Sequence, residues 1–185
     1  THYDTYNIDR IKLFVNKIKK YDVICLQEIY STNYTNINLL LKECVRRGYN
    51  YYYQKSPTFY SKYILNNGLL ILSKFKIHSS GFVPFTYSKS YDTLTEKGII
   101  YIKIICNNKP VYIFNTHIQS NYNYNLSTSY KKIIESQIIE VIKAIQYFSK
   151  NNITILAGDF NIDNKDYKLS NLMKLHGLQD TIKNK

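Results

Sequence analysis

"ILAGDFNID", residues 155–163, runs uncharged from Ile155 to Gly158 and then sets Asp159 and Asn161 two positions apart around Phe160. An acid at the mouth of an apolar run asks for a reason in a chain with 13 acidic against 25 basic residues. In an extended strand residues i and i+2 point the same way, so Asp159 and Asn161 are expected to reach one ligand while Phe160 packs behind them.

Three other apolar runs end in a polar residue with chemical reach: Glu28 after "DVICLQ", Ser73 after "GLLIL" and His117 after "VYIFNT". Each alone has a plain structural explanation: a solvated charge, a satisfied hydroxyl or imidazole, an Asx turn at Asp159. Their repetition at successive buried strand ends is what suggests a site. Glu28 is a hard oxygen ligand suited to Mg²⁺, which takes one or two protein carboxylates and keeps several waters. Asp159 can align or deprotonate an attacking water, Asn161 can donate to a phosphate oxygen, and His117 can donate a proton or stabilise negative charge. Together they make a phosphodiesterase site.

The chain of 185 residues, 44% hydrophobic, fits one domain spanning 1–185. No apolar run reaches the roughly 18 residues of a membrane span. Cys25, Cys44 and Cys106 show no CxxC spacing and no histidine cluster, which argues against a disulfide framework or a zinc site. A net charge of +12 invites nucleic acid or an anionic membrane, yet arginine, the residue favoured for bidentate phosphate contacts, occurs only at Arg10, Arg46 and Arg47. The lysines are scattered among Asn, Ile and Tyr, so the charge permits such partners without selecting one.

A helix capped by Asp9, with Ile11, Phe14, Val15 and Ile18 on one face, is expected to end near Lys20. "YDVICLQEIY" reads as a strand buried on both faces, and 36–47 as a helix stopped by Gly48. Strands follow at 51–53 and in "NNGLLILSKFKI". After a polar loop come two strands, 99–106 and 111–115, joined by a turn at "NNKP". A helix over 130–149 precedes the strand 153–157, and "NLMKLHGLQD" predicts a last helix stopped near Gly177. The loops at 54–67 and 119–128 are long enough to be functional. The order predicts a mixed α/β sandwich.

"DVICLQE", "GLLILSKFKI", "NTHIQ" and "GDFN" resemble, in order and spacing, the motifs of the endonuclease/exonuclease/phosphatase superfamily, the magnesium-dependent group with the DNase I fold. The resemblance covers about residues 10–180. It implies a four-layer α/β/β/α sandwich, a Mg²⁺ cofactor held by Glu28, phosphate contact and acid-base work by His117, water activation by Asp159 and phosphate binding by Asn161. "EKGIIYIKI" followed by "VYIFNTHIQS" looks most like the neutral sphingomyelinases; Lys97 and Gly98 mark that branch and receive no chemistry.

That branch implies hydrolysis of sphingomyelin, a phospholipid, to ceramide and phosphocholine at a membrane surface, and secretion. The rivals are a nuclease of the same fold acting on nucleic acid, another phosphatase of the superfamily, and a catalytically inactive module binding lipid or phosphate. No protein partner is inferred. Two departures stand out: no strand bearing a metal-binding Asn precedes the helix, Asn7 lying too close to it, and no Asp-His pair precedes Lys185. The resemblance therefore implies an incomplete domain with outer strands missing, inactive by itself.

Overall fold

The computed structural model of the chain describes residues 2–30, 34–56, 66–120, 128–162 and 167–181. Most of the two long loops noted in the sequence lies outside these residues. In chain order the elements are α1 (His2–Ile18), β1 (Val23–Leu26), α2 (Tyr34–Val45), β2 (Tyr51–Tyr53), β3 (Leu70–Ser73), β4 (Ser79–Pro84), a 3₁₀ turn (Ser90–Leu94), β5 (Gly98–Cys106), β6 (Lys109–His117), α3 (Thr128–Ser149), β7 (Ile153–Asp159) and α4 (Tyr167–Leu175).

The strands form two sheets, ordered β1-β3-β2 and β4-β5-β6-β7. Alternation along β3 decides how they stack. Leu70 and Leu72 face a core that includes Val15 and Ile18 of α1 and Leu40 and Cys44 of α2. Leu69, just before the strand, and Ile71 face the other sheet through Ile100, Ile102, Ile104 and Ile113. On the far side of the second sheet, Ile99 and Phe114 pack on Ile134, Ile138, Val141 and Ile145 of α3. The result is a four-layer α/β/β/α sandwich, as expected from the sequence.

β6 and β7 are parallel, with α3 as the crossover between them, and their register pairs Asn115 with Ala157, Thr116 with Gly158 and His117 with Asp159. β5 and β6 are an antiparallel hairpin whose two-residue turn, Asn107–Asn108, has φ of 47° and 60°. Positive φ at both positions is what a type I′ turn demands, and Asn tolerates it. These two connections bring the chain back to the same edge, so that His117 and Asp159 end side by side.

Four expectations are corrected. α1 begins seven residues before Asp9, because nothing between His2 and Asp9 is a glycine or proline that would stop a helix. Asp9 is therefore an interior residue and not a cap. β1 is only half-buried, since among the described residues it pairs with β3 alone and forms the sheet edge. The stretch expected to be a polar loop contains β4, antiparallel to β5 from Ser79↔Lys103 to Pro84↔Gly98. The fourth concerns Ser73. β3 runs antiparallel to β1, with Val23↔Ser73 and Leu26↔Leu70, which puts Ser73 at the end opposite Glu28.

α2 stops as expected. Gly48 takes φ 91°, and Tyr49 N donates to Cys44 O at 3.1 Å. The Tyr49 hydroxyl lies 2.7 Å from Ile18 O, which also accepts from Tyr21 N, and 2.8 Å from Tyr21 O, so its proton ties α2's end to the turn that follows α1.

Candidate active site at the strand ends

Glu28 follows β1, turns out of the strand with φ 61° and is exposed. His117 closes β6 and is 6% exposed, whereas Asp159, its register partner on β7, is exposed. His117 Nε2 lies 3.9 Å from Asp159 Oδ2. Ser73 takes no part; its hydroxyl is buried and bonded to Phe75 O at 2.8 Å.

Two observations place Glu28 beside the pair. Asn115, two residues before His117, accepts a hydrogen bond from Gln27, the neighbour of Glu28, at 2.7 Å. Burial lowers the proton affinity of His117 and Lys97, and the Glu28 carboxylate is near enough to be one of the smaller charges opposing it. The structure thus gathers Glu28, His117 and Asp159 at one edge of the sandwich.

Asn161 joins them by a different geometry from the one read in the sequence. β7 ends at Asp159, and Asn161 takes φ 49°, outside any strand. Asp159 Oδ1 accepts from Asn161 N at 2.9 Å, an Asx turn that folds the chain back over the strand end. The Asn161 amide is held at both atoms: Nδ2 donates to Ile118 O at 2.9 Å, and Oδ1 accepts from Ser120 Oγ at 3.1 Å. Gly158 permits the turn. It takes φ 150°, and a Cβ there would stand 2.2 Å from Thr116 O.

Two charged residues at this edge had no chemical signal in the sequence. Lys97 and Asp92, with side chains 3% and 6% exposed, form an ion pair of 3.3 Å. Lys97 Nζ also donates to Ile118 O at 3.1 Å, and Asp92 Oδ2 accepts from Ser120 N at 2.9 Å. The pair therefore grips the backbone that follows His117. Burial pulls the Lys97 ammonium below its ordinary value of 10.5, against the opposing charge and hydrogen bond of Asp92. His117 is pulled below 6.5 by burial and then by Lys97, with Asp159, Asp92 and Glu28 opposing. Near neutral pH its imidazole is uncharged.

The donors available to a metal are exposed carboxylate oxygens. Among the described residues no three His, Cys, Asp or Glu side chains cluster to enclose an ion. Such an open oxygen set does not suit structural zinc, but it suits Mg²⁺, which keeps most of its water shell. Glu28, exposed just beyond the end of β1, is the carboxylate that would be available to such an ion.

Comparison with known proteins gives the family and the fold. Residues 5–179 match the endonuclease/exonuclease/phosphatase family. A sphingomyelinase from Dictyostelium discoideum is 24% identical over 176 residues, covering 80% of this chain and 38% of the relative. Sphingomyelinase C from Bacillus cereus is 26% identical over 168 residues, covering 84% and 50%. This chain thus spans half or less of the length of these two relatives. A mutant of beta toxin from Staphylococcus aureus, solved with bound magnesium ions, superposes with a TM-score of 0.80 at 22% identity, covering 94% of this chain and 64% of that one. That likeness establishes the DNase I-like fold. With all but the ends of its sequence matched, the chain belongs to the endonuclease/exonuclease/phosphatase family.

Proposed function

We propose that this chain carries the active-site edge of a Mg²⁺-dependent phosphodiesterase that hydrolyses sphingomyelin to ceramide and phosphocholine. One observation supports the reading: His117 and Asp159 end β6 and β7 side by side with the Asn161 amide fixed beside them, and Asn115 of β6 bonds Gln27, the neighbour of Glu28. The sphingomyelinases among the relatives supply the choice of lipid.

Asp159 orients a water and accepts its proton as the new P–O bond forms in line with the bond that breaks. The oxygen of ceramide leaves and takes a proton from solvent while Asp159 gives its own back to solvent, so one water is consumed for each diester cleaved. One Asn161 Nδ2 proton is spent on Ile118 O, and the other is available to a phosphoryl oxygen. His117, uncharged near neutrality, donates a hydrogen bond to developing negative charge without adding a second cation beside Lys97. Bound at Glu28, Mg²⁺ would supply Lewis-acid neutralisation of the phosphate oxygens.

A nuclease of the same fold is favoured by one feature, the net charge of +12. Release of phosphocholine from sphingomyelin liposomes, measured beside nicking of plasmid DNA with the full protein and Mg²⁺, separates the readings. DNA nicking without phosphocholine release would replace the lipid assignment by the nuclease.

A further inference from the structure

Asn115 sits two residues before His117 on β6, fully buried at 0% exposure where the two sheets meet. A buried amide must find partners, because an unpaired polar group in an apolar interior is costly. Asn115 finds them on the opposite sheet. Its Nδ2 donates to Leu26 O at 2.9 Å and to Leu70 O at 3.3 Å, and its Oδ1 accepts from Gln27 Nε2 at 2.7 Å. Leu26 and Leu70 are register partners at the end of the β1–β3 ladder, so this one side chain ties both strands to β6.

Glu28 is the residue next to Gln27. Beyond it, Ile29 N donates to Gly68 O at 2.8 Å and Gln54 Nε2 donates to Ile29 O at 3.0 Å. Those outer bonds hold the segment to its own side of the molecule. The bonds to Asn115 instead tie the segment to the sheet that carries His117 and Asp159. Much of the rest of the intersheet contact is apolar packing, with Leu69 and Ile71 against Ile100, Ile102 and Ile113, and a Lys55–Glu96 ion pair joins the segments that follow β2 and precede β5. Aliphatic packing is non-directional and allows one sheet to slide over the other by fractions of an ångström, whereas hydrogen bonds fix direction and distance.

We infer that Asn115 is a positioning residue that fixes Glu28 relative to the His117–Asp159 pair and thereby sets the affinity of the site for Mg²⁺. The inference rests on the proposed role of Glu28. Asn115→Leu fills similar volume but leaves Leu26 O, Leu70 O and the Gln27 amide without their partner. Groups that orient a metal's ligand typically change metal affinity by about 10- to 100-fold when removed.

Calorimetric titration of the full protein with Mg²⁺ alone, beside thermal unfolding, tests this. Asn115→Leu is expected to weaken Mg²⁺ binding about 10-fold or more and to raise the Mg²⁺ needed for half-maximal turnover equally. Turnover at saturating Mg²⁺ stays within about threefold of the parent, a split that general loss of stability would not produce. Gln27→Leu, which keeps both Asn115 donations, moves Mg²⁺ affinity the same way by less, and it decides the matter if Asn115→Leu does not fold. Folded variants with parental Mg²⁺ affinity overturn the role of Asn115 and leave the proposed function standing. A parent protein that binds no Mg²⁺ overturns both.

Discussion

His117 and Asp159 are register partners on adjacent parallel strands, and their side chains approach to 3.9 Å between Nε2 and Oδ2. The imidazole is nonetheless held below its ordinary value of 6.5, because burial and Lys97 outweigh the carboxylates. Between the depressed value and 6.5 the unfolded chain binds a proton that the native chain does not. The stabilising contribution is therefore complete above 6.5 and is lost as pH falls through the depressed value. His117→Gln is expected to lose less urea stability than the parent when pH is lowered from about 7 to about 5. Identical pH dependence would show that the imidazole titrates freely. Asp159→Asn removes an upward influence and is expected to move the His117 titration lower still, as read by imidazole NMR.

The proposed function gives the cation to Glu28 and the water to Asp159. Glu28→Gln keeps the shape but weakens an oxygen ligand, so the Mg²⁺ requirement of turnover is expected to rise. Asp159→Asn is expected to abolish most turnover while substrate binding persists, since a positioned base contributes about 10²- to 10⁴-fold. Steady-state kinetics at several Mg²⁺ concentrations check both. Parental values in the two variants would remove these residues from the chemistry, and a fully active His117→Ala would leave the imidazole a structural role.

Much of this was legible in the sequence, for identifiable reasons. β1, β3, β6 and β7 are apolar runs, and a run of that kind carries its polar terminus with it, which exposed Glu28, His117 and Asp159 as candidates, and Ser73 with them. β4 was not legible: "SSGFVP" has little apolar pattern, and its strand character comes from pairing with β5. Asp159 and Asn161 meet by an Asx turn and not along a continuing strand, two geometries that both bring i and i+2 to one place. Lys97, Asp92 and Asn115 were passed over for a common reason. Their burial is created by segments distant in the chain, while the default for Lys, Asp and Asn is exposure.

Gly158 offers a test of the backbone beneath the site. Its φ of 150° strains any residue with a side chain, and the added carbon would stand 2.2 Å from Thr116 O, on its register partner in β6. Gly158→Ala must push β7 away from β6 at the point where Asp159 and His117 meet. A loss of about 1–3 kcal/mol in urea unfolding is expected from strain of this kind, together with a fall in turnover. A fully stable and active variant would mean that the strand ends yield without cost.

Lys97 and Asp92 bury a full ion pair, and the energetic meaning of that pair differs from the effect of breaking it. Lys97→Met leaves the Asp92 carboxylate in a low-dielectric interior facing Ser120 N but no longer the ammonium, and it strips one donor from Ile118 O. Side chains only 3% and 6% exposed receive little solvent screening, so a loss of about 3–5 kcal/mol is expected. Replacing both residues by apolar ones, Lys97→Met with Asp92→Leu, removes the desolvation cost along with the attraction and is expected to recover most of that stability. Turnover should not recover with it, because Ile118, which holds the Asn161 amide, loses its Lys97 anchor in both variants and Ser120 also loses Asp92 in the double one. Chemical denaturation and kcat measured on the same three proteins decide the point. A double variant that regains activity as well as stability would show that the backbone after His117 needs no anchoring charge.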